Sequence, residues 1–273
     1  MIHVKRIKDL TYSRNLLKEL VKTDFKLRYQ GSILGILWSV LKPLALFFVM
    51  YMVFVRFLKF TDGTPTFPLV LLLGISLWSF FAEATSVGMR SIVDRGDILR
   101  KINFPKTIIV LSTTTGSLIG LGINLLVVLI FALFSGVQFT WWVLLVPLGI
   151  FQLYAIAMGL ALILSALYVK FRDIGHIWDV VLQALFYATP IIYPITMVTN
   201  NHPEIAKIMM LSPVTQSIQD IRHNLISPTT VPTTWTMIDQ WYIAIIPVII
   251  TTILLIVGVL YFNKNSKNFA EEL

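Results

Sequence analysis

Lys42 and Glu83 stand inside long apolar runs of this 273-residue chain, and they pose its first chemical question. A charge in hydrocarbon is costly and ordinarily faces a partner or a water-filled cavity. Counted from the polar boundary on the same side, both lie about eight or nine residues deep, roughly 12–14 Å at 1.5 Å per residue. The matched depth admits three arrangements: an ion pair that fixes the register of two helices, a lysine that snorkels alone, or side chains lining a path for a solute. Other reactive chemistry is sparse. No Gly-Lys dipeptide occurs, which removes a phosphate-binding P-loop and with it ATP hydrolysis by the chain itself. The four histidines, His3, His176, His202 and His223, are too scattered to suggest a metal site, and there is no cysteine. No G-x-S-x-G or H-E-x-x-H occurs, and no acidic pair sits where it would bind a metal with a nucleotide sugar. The reading is therefore no catalytic residue, no metal and no cofactor in this chain.

The elements that must carry these residues follow from composition. Hydrophobic residues make up 56% of the chain and charged residues 13%, about half the charge of a soluble domain. Mean hydropathy is +0.80. Six apolar segments, 33–58, 67–91, 107–135, 141–168, 175–196 and 242–262, each approach the roughly 20 residues a membrane-spanning helix needs. The fifth is interrupted by Pro190 and Pro194. The first begins only after thirty polar and basic residues, so no cleaved leader is expected. The chain reads as one all-α polytopic membrane domain over 1–273. It divides into a segment 1–32, spans one to five over 33–196, an outer segment 197–241, span six over 242–262 and a tail 263–273.

Charge placement orients it. Lys and Arg number eight in 1–32, five in 90–106, two in 169–174 and two in the tail, against four on the opposite side: Arg56, Lys59, Lys207 and Arg222. Positive charge marks the cytoplasmic side, so both termini are expected there. With nine acids on that side and four on the other, the net +8 is entirely cytoplasmic, which argues against a nucleic-acid ligand.

Two cytoplasmic segments have helical patterning. In 13–30, Leu16, Leu17, Leu20, Val21 and Phe25 share a face beside a ridge of Arg14, Lys18, Lys22 and Lys26. Such a helix is expected to lie in the membrane interface with its apolar face down, either as a topology anchor or as a docking surface. In 90–107, Asp94 or Asp97 caps a short helix bearing Ile98, Leu99 and Ile102, which Pro105 ends. With Leu99, Arg100 and Lys101 exposed it would be a grip for a cytoplasmic partner; read blandly, it is a charged loop.

Trp141, Trp142, Trp235, Trp241 and Tyr242 read as interfacial belts. Trp38, Phe47, Phe48, Tyr51, Trp78, Phe80, Phe81, Phe186 and Tyr187 fall within the bilayer, as packing residues or as a wall over which sugar rings slide. Half of the twelve prolines lie between 190 and 232, with apolar pieces between them, so this stretch is expected to form short helices re-entering the outer leaflet as a lid. Gly31-x-x-x-Gly35 and Gly116-x-x-x-Gly120 suggest close helix contacts.

QGSILGILWSVLKP (30–43), DRGDILRKINFPK (94–106), LYVKFRDIGHIWDVVLQALFYATPIIYP (167–194) and SPVT (212–215), in this order, resemble the permease subunits of ABC-2 type exporters. Within that superfamily the chain is similar to the branch that moves lipid-linked O-antigen, capsule and teichoic acid. The resemblance implies a homodimer of six-span permeases, bound to two cytoplasmic ATPase subunits that hold ATP and Mg and drive a flippase-like export. It implies that 13–30 is an interface helix contributing Phe25, Arg28 and Tyr29, and that 96–106 is a coupling helix contributing Asp97, Leu99, Arg100, Phe104 and Pro105. Spans one and five would line the path with Trp38, Lys42, Phe186 and Tyr187, and 190–226 would form an outer gate with Pro190, Tyr193 and Pro194. The expected setting is a bacterial plasma membrane. Two other functions fit less of the sequence: an ABC-2 exporter of a drug or small lipid, and a membrane transferase acting on lipid-linked sugars.

Overall fold

A computed structural model describes residues 2–28, 34–101 and 104–272, and every regular element among them is helical. Helix α1 (Ile2–Arg28) precedes α2 (Trp38–Met50), which widens into a π-helical continuation, Tyr51–Phe57. Then come α3 (Phe67–Asp94), the short α4 (Gly96–Lys101), α5 (Thr107–Phe134), and α6 (Val146–Lys170) entered through a 3₁₀ turn at Trp141–Leu145. Helix α7 (Ile174–Ala188) is followed by three short helices, α8 (Ile195–Asn201), α9 (Pro203–Met210) and α10 (Pro213–Leu225). The single turns α11 (Thr234–Met237) and α12 (Trp241–Ala244) lead into α13 (Ile246–Asn265), and α14 (Phe269–Glu272) closes the chain.

Five of these stretches are long and apolar enough to cross a membrane: 38–57, 67–94, 107–134, 141–170 and 241–265. The fifth expected span is corrected. Instead of 175–196, its helix stops at Ala188 after 15 residues, about 22 Å of rise against roughly 30 Å of hydrocarbon. Pro190 is the cause. It has no N–H for the next helical bond, and it pushes Thr189 into extended geometry (φ −91, ψ 133). By contrast Pro68, Pro147, Pro203, Pro213 and Pro247 fall in first turns, where the missing N–H costs nothing.

Helices α3 and α6 form the centre of the bundle. Leu71, Leu73, Ile75, Leu77, Phe81 and Leu153 lose all contact with solvent in a core shared with α5 and α10. Two of the glycines named by the spacing make no close helix contact. Gly120 has open space where a Cβ would project, and Gly35 serves a turn at φ +48. Gly31 lies outside the described residues. The close approach is instead between Gly159 of α6 and Gly258 of α13, where a Cβ on Gly258 would lie 2.5 Å from the Gly159 carbonyl oxygen. No sequence spacing reports this pair, because its members are on different helices.

Candidate functional site

Three constellations lie along the bundle, and the first is at its basic end. Here the C-terminal ends of α3 and α6, the start of α5, and α1, α4 and α14 meet in a second core. Ile92, Leu99, Phe104, Ile109, Phe262 and Phe269 are buried in it, with Leu16, Leu17 and Leu20 packed alongside. The apolar face of α1 is thus covered by protein, whereas its surface was expected to lie on lipid. Leucines recurring at helical spacing report a face, not its occupant. The ridge of Arg14, Lys18, Lys22 and Lys26 remains exposed.

Ion pairing ties these parts together. The Arg95 guanidinium, at the end of α3, pairs with the Asp24 carboxylate of α1. It also donates to Ser112 Oγ of α5 at 3.0 Å, and Ser112 Oγ donates to Asp24 Oδ2 at 3.2 Å. Both charged side chains are about one-seventh exposed, and burial lowers the Arg95 pKa from its ordinary value. Beside them Lys106 donates to the Ser266 carbonyl and lies over the Phe269 ring at 5.6 Å, while burial lowers its pKa also. Residues 263–272 are therefore folded back under α4. Sequence reasoning counted Asp24 and Arg95 as ordinary charges of a basic face; no spacing rule relates residues 71 positions apart.

Of the residues expected at the coupling surface, Asp97 and Pro105 are exposed. Leu99 and Phe104 are only 7% exposed and belong to the chain's own core, which corrects the expected exposure of Leu99. Six residues of helix hung on Gly96 cannot show an apolar side chain to water while the leucine face of α1 and Phe269 offer it cover. Phe25, Arg28 and Arg100 lie in α1 and α4; Tyr29 is outside the described residues.

The second constellation is a cavity of about 600 Å³ within the apolar layer, walled by α2, α3 and α5. Lys42 and Glu83 share its wall with Trp38, Trp78, Ser79, Ser86, Ser117 and Asn124. The α2, α3 and α5 walls thus supply a cation, a carboxylate, hydroxyls, an amide and two indoles. Ser117 Oγ donates to Glu83 Oε1 at 3.3 Å. Trp38 is half exposed, as expected for the flank of α2, which packs on the bundle along one side only. Trp78 connects the cavity to α7: its ring centroid is 5.7 Å from that of Phe186, which is 5.4 Å from Tyr187. Tyr187 is 55% exposed. Helix α7 is held to α3 lower down by the Trp178 indole, which donates to Thr85 Oγ1 at 3.1 Å. Lys42 and Glu83 are brought to one cavity, as their depths implied. Phe186 and Tyr187 reach it only through Trp78.

The third constellation is at the opposite end. Tyr193 is half-buried and donates from its hydroxyl to the Tyr187 carbonyl at 2.9 Å, and Pro194 begins the short helices. Pro190 is buried, and its carbonyl accepts from Arg222. Arg222, counted in the sequence as an outer surface charge, is 2% exposed. The signal that it is not a loop residue is Val214, Ile218, Ile221 and Leu225, apolar at helical spacing around it.

A bundle of apolar helices with a polar cavity in the membrane layer and a compact basic end fits a membrane transporter. The model of the ABC-2 type transporter family matches residues 15–226, and the chain belongs to that family. Its relatives include the O-antigen export system permease protein RfbA of Myxococcus xanthus, 31% identical over 209 residues, 77% of this chain and 78% of the relative. Permease proteins of the same name from Klebsiella pneumoniae are 27% identical over 269 and over 264 residues, covering 98% and 96% of both chains.

Proposed function

We propose that this protein is the membrane subunit of an ATP-driven exporter that moves a lipid-linked glycopolymer, of O-antigen or teichoic acid type, from the cytoplasmic to the outer leaflet. The observation that carries the proposal is similarity along 98% of the chain to an O-antigen export permease. In this reading α2, α3, α5, α6 and α13 cross the bilayer, and α7 completes a sixth crossing through the 189–194 segment. Seventeen of the 22 basic residues then face the cytoplasm with both termini, and the host membrane is a bacterial plasma membrane.

Two copies of this chain would pair and carry two separate ATPase subunits, which supply ATP and Mg. The docking surface would be the basic ridge of α1, continuing through Phe25, Arg28 and Tyr29, together with Asp97, Arg100 and Pro105. Leu99 and Phe104 would act from beneath by holding α4 in place. Trp38, Lys42, Phe186 and Tyr187 would line the path; the indoles and serines of the cavity suit sugar rings, which present both apolar faces and hydroxyls. Lys42 and Glu83 would pair across α2 and α3, so that neither charge enters hydrocarbon alone. Tyr193 and Pro194 would belong to the outer gate. Depleting the protein in its host tests the proposal. Lipid-linked polymer should accumulate in the cytoplasmic leaflet while surface polymer falls; unchanged surface polymer would reject it.

A further inference from the structure

The Arg222 guanidinium is buried, and its hydrogen-bond partners are neutral, although Asp62 lines the same small cavity. Its Nη1 donates to the Pro190 carbonyl at 2.6 Å and to Gln219 Oε1 at 3.1 Å, and its Nη2 donates to the Ile191 carbonyl at 2.7 Å. Its Nε has no partner, and it forms none of the carboxylate pairs among the described residues. Asp220, two positions away on α10, forms no ion pair with it among the described residues. Gly74 of α3 makes the room: a Cβ there would overlap the guanidinium. An arginine buried without an ion pair is expensive, so it persists where its hydrogen bonds do something the surroundings cannot.

What it does follows from the end of α7. The last carbonyls of a helix have no partner within it, and in a membrane protein they find no water. Pro190 and Pro194 cannot extend the ladder, and the Pro190 and Ile191 carbonyls would be stranded in the apolar core that buries Ile191 and Ile192. Arg222 supplies donors to both, and by resting on Gly74 it ties the turn to α3 and α10 at once.

The neighbouring short helices are held differently. Ile195, Ala206 and Met210 form a small cluster with Val198, Met209 and the α11 residue Met237, and α11 is tied to the end of α9 where Thr234 Oγ1 donates to the Met210 carbonyl at 3.1 Å. The boundary between the two cores is crossed at Tyr193–Pro194 and again at Leu211–Ser212, where Pro194 (ψ 138) and Ser212 (ψ 126) are extended. We propose that Arg222 divides the outer segment into a fixed post and a moving lid. The turn 189–192 is pinned to α3 and α10, and α8 and α9 swing as a unit about the crossings at 193–194 and 211–212, tethered beside the second crossing by the Thr234–Met210 bond. The gate is then hinged after Pro190, and Arg222 is a positioning residue for the outer end of the path.

The absence of native cysteine allows single-cysteine reporters. In nanodiscs, where both faces are accessible, a polar maleimide should label Ile208→Cys, on the exposed side of the lid, at least about a hundredfold faster than the buried Ile192→Cys. Arg222→Met should raise the Ile192→Cys rate about tenfold or more, with an unchanged gel-filtration profile as the sign of a folded protein, and Arg222→Lys should fall between. If Arg222→Met does not fold, Gly74→Ala is read instead and should raise labelling in the same direction. Continued protection of Ile192→Cys in a folded variant would overturn the clamp. Hydrogen exchange tests the division itself: amides of 195–210 should exchange at least about tenfold faster than those of 213–225, and equal protection would overturn the lid.

Discussion

Replacing Asp24 by Asn removes one charge from the junction of α1, α3 and α5 and leaves the Arg95 guanidinium, about one-seventh exposed, with neutral partners in Ser112 and the new amide. At a contact separation near 3 Å and an effective dielectric constant near 20, the lost attraction is on the order of 5 kcal/mol. Water still reaches both groups and the asparagine amide oxygen still accepts a hydrogen bond, so the net cost should be about 2 kcal/mol, below the 3–5 kcal/mol of a fully buried pair. That is a fall of roughly 4–8 °C in Tm. The expected functional effect is larger, because α1 would no longer move rigidly with the start of α5. The assay is thermal unfolding of the purified permease together with ATP hydrolysis by the reconstituted complex, with and without lipid-linked substrate. Asp24→Asn should lower Tm and reduce substrate stimulation, whereas Asp24→Arg with Arg95→Asp should recover most of both. A single variant with unchanged Tm and unchanged stimulation would refute the reasoning, and so would a swap that recovers neither.

Other consequences are separable. Gly258→Val should drive α13 from α6 at Gly159 and cost at least about 2 kcal/mol, read as a fall in Tm or loss of folded protein, whereas Gly122→Ala, with open space at its Cβ, should be nearly neutral. Burial raises the Asp220 pKa to about 7 from 3.8, so between these values the folded protein holds a proton that the unfolded chain has released. Stability should therefore decline as pH rises from about 4 to about 7 and level off above, and Asp220→Asn should remove that component of the thermal-shift profile. If Lys42 and Glu83 pair, Lys42→Met and Glu83→Gln should each destabilise the protein. Their combination should return at least about 1 kcal/mol of the summed cost, and strict additivity would exclude the pair. Asp97→Arg, an exposed change on α4, should weaken co-purification of the ATPase subunit without lowering Tm, whereas Leu99→Asp should lower Tm itself, because Leu99 is core.

Much of the architecture was legible because the bilayer demands long apolar runs. Four of the six expected spans coincide with long helices to within a few residues, and α2 begins only five residues late at Trp38. The fifth is cut short as a helix before Pro190, a residue whose consequence depends on whether a buried partner receives the freed carbonyls. Arg222 is that partner, and local sequence cannot announce a hydrogen bond made across 31 or 32 residues. Depth counting brought Lys42 and Glu83 to one cavity, because in a membrane depth is measured by residue number along each helix. The same counting said nothing of Asp24 and Arg95, which lie outside the apolar layer. Helical periodicity identified the leucine face of α1 but assigned it to lipid, since amphipathicity does not distinguish lipid from protein as the covering surface.

The most direct test of the central claim is transbilayer movement of a lipid-linked glycan in proteoliposomes containing this protein and its partner ATPase. Glycan exposed on the trans face, measured with a membrane-impermeant lectin or glycosidase, should rise with ATP and Mg. It should stay at background when a non-hydrolysable ATP analogue is used, or when the ATPase subunit is omitted. Movement that is independent of ATP, or none at all from an assembled complex that hydrolyses ATP, would contradict the account.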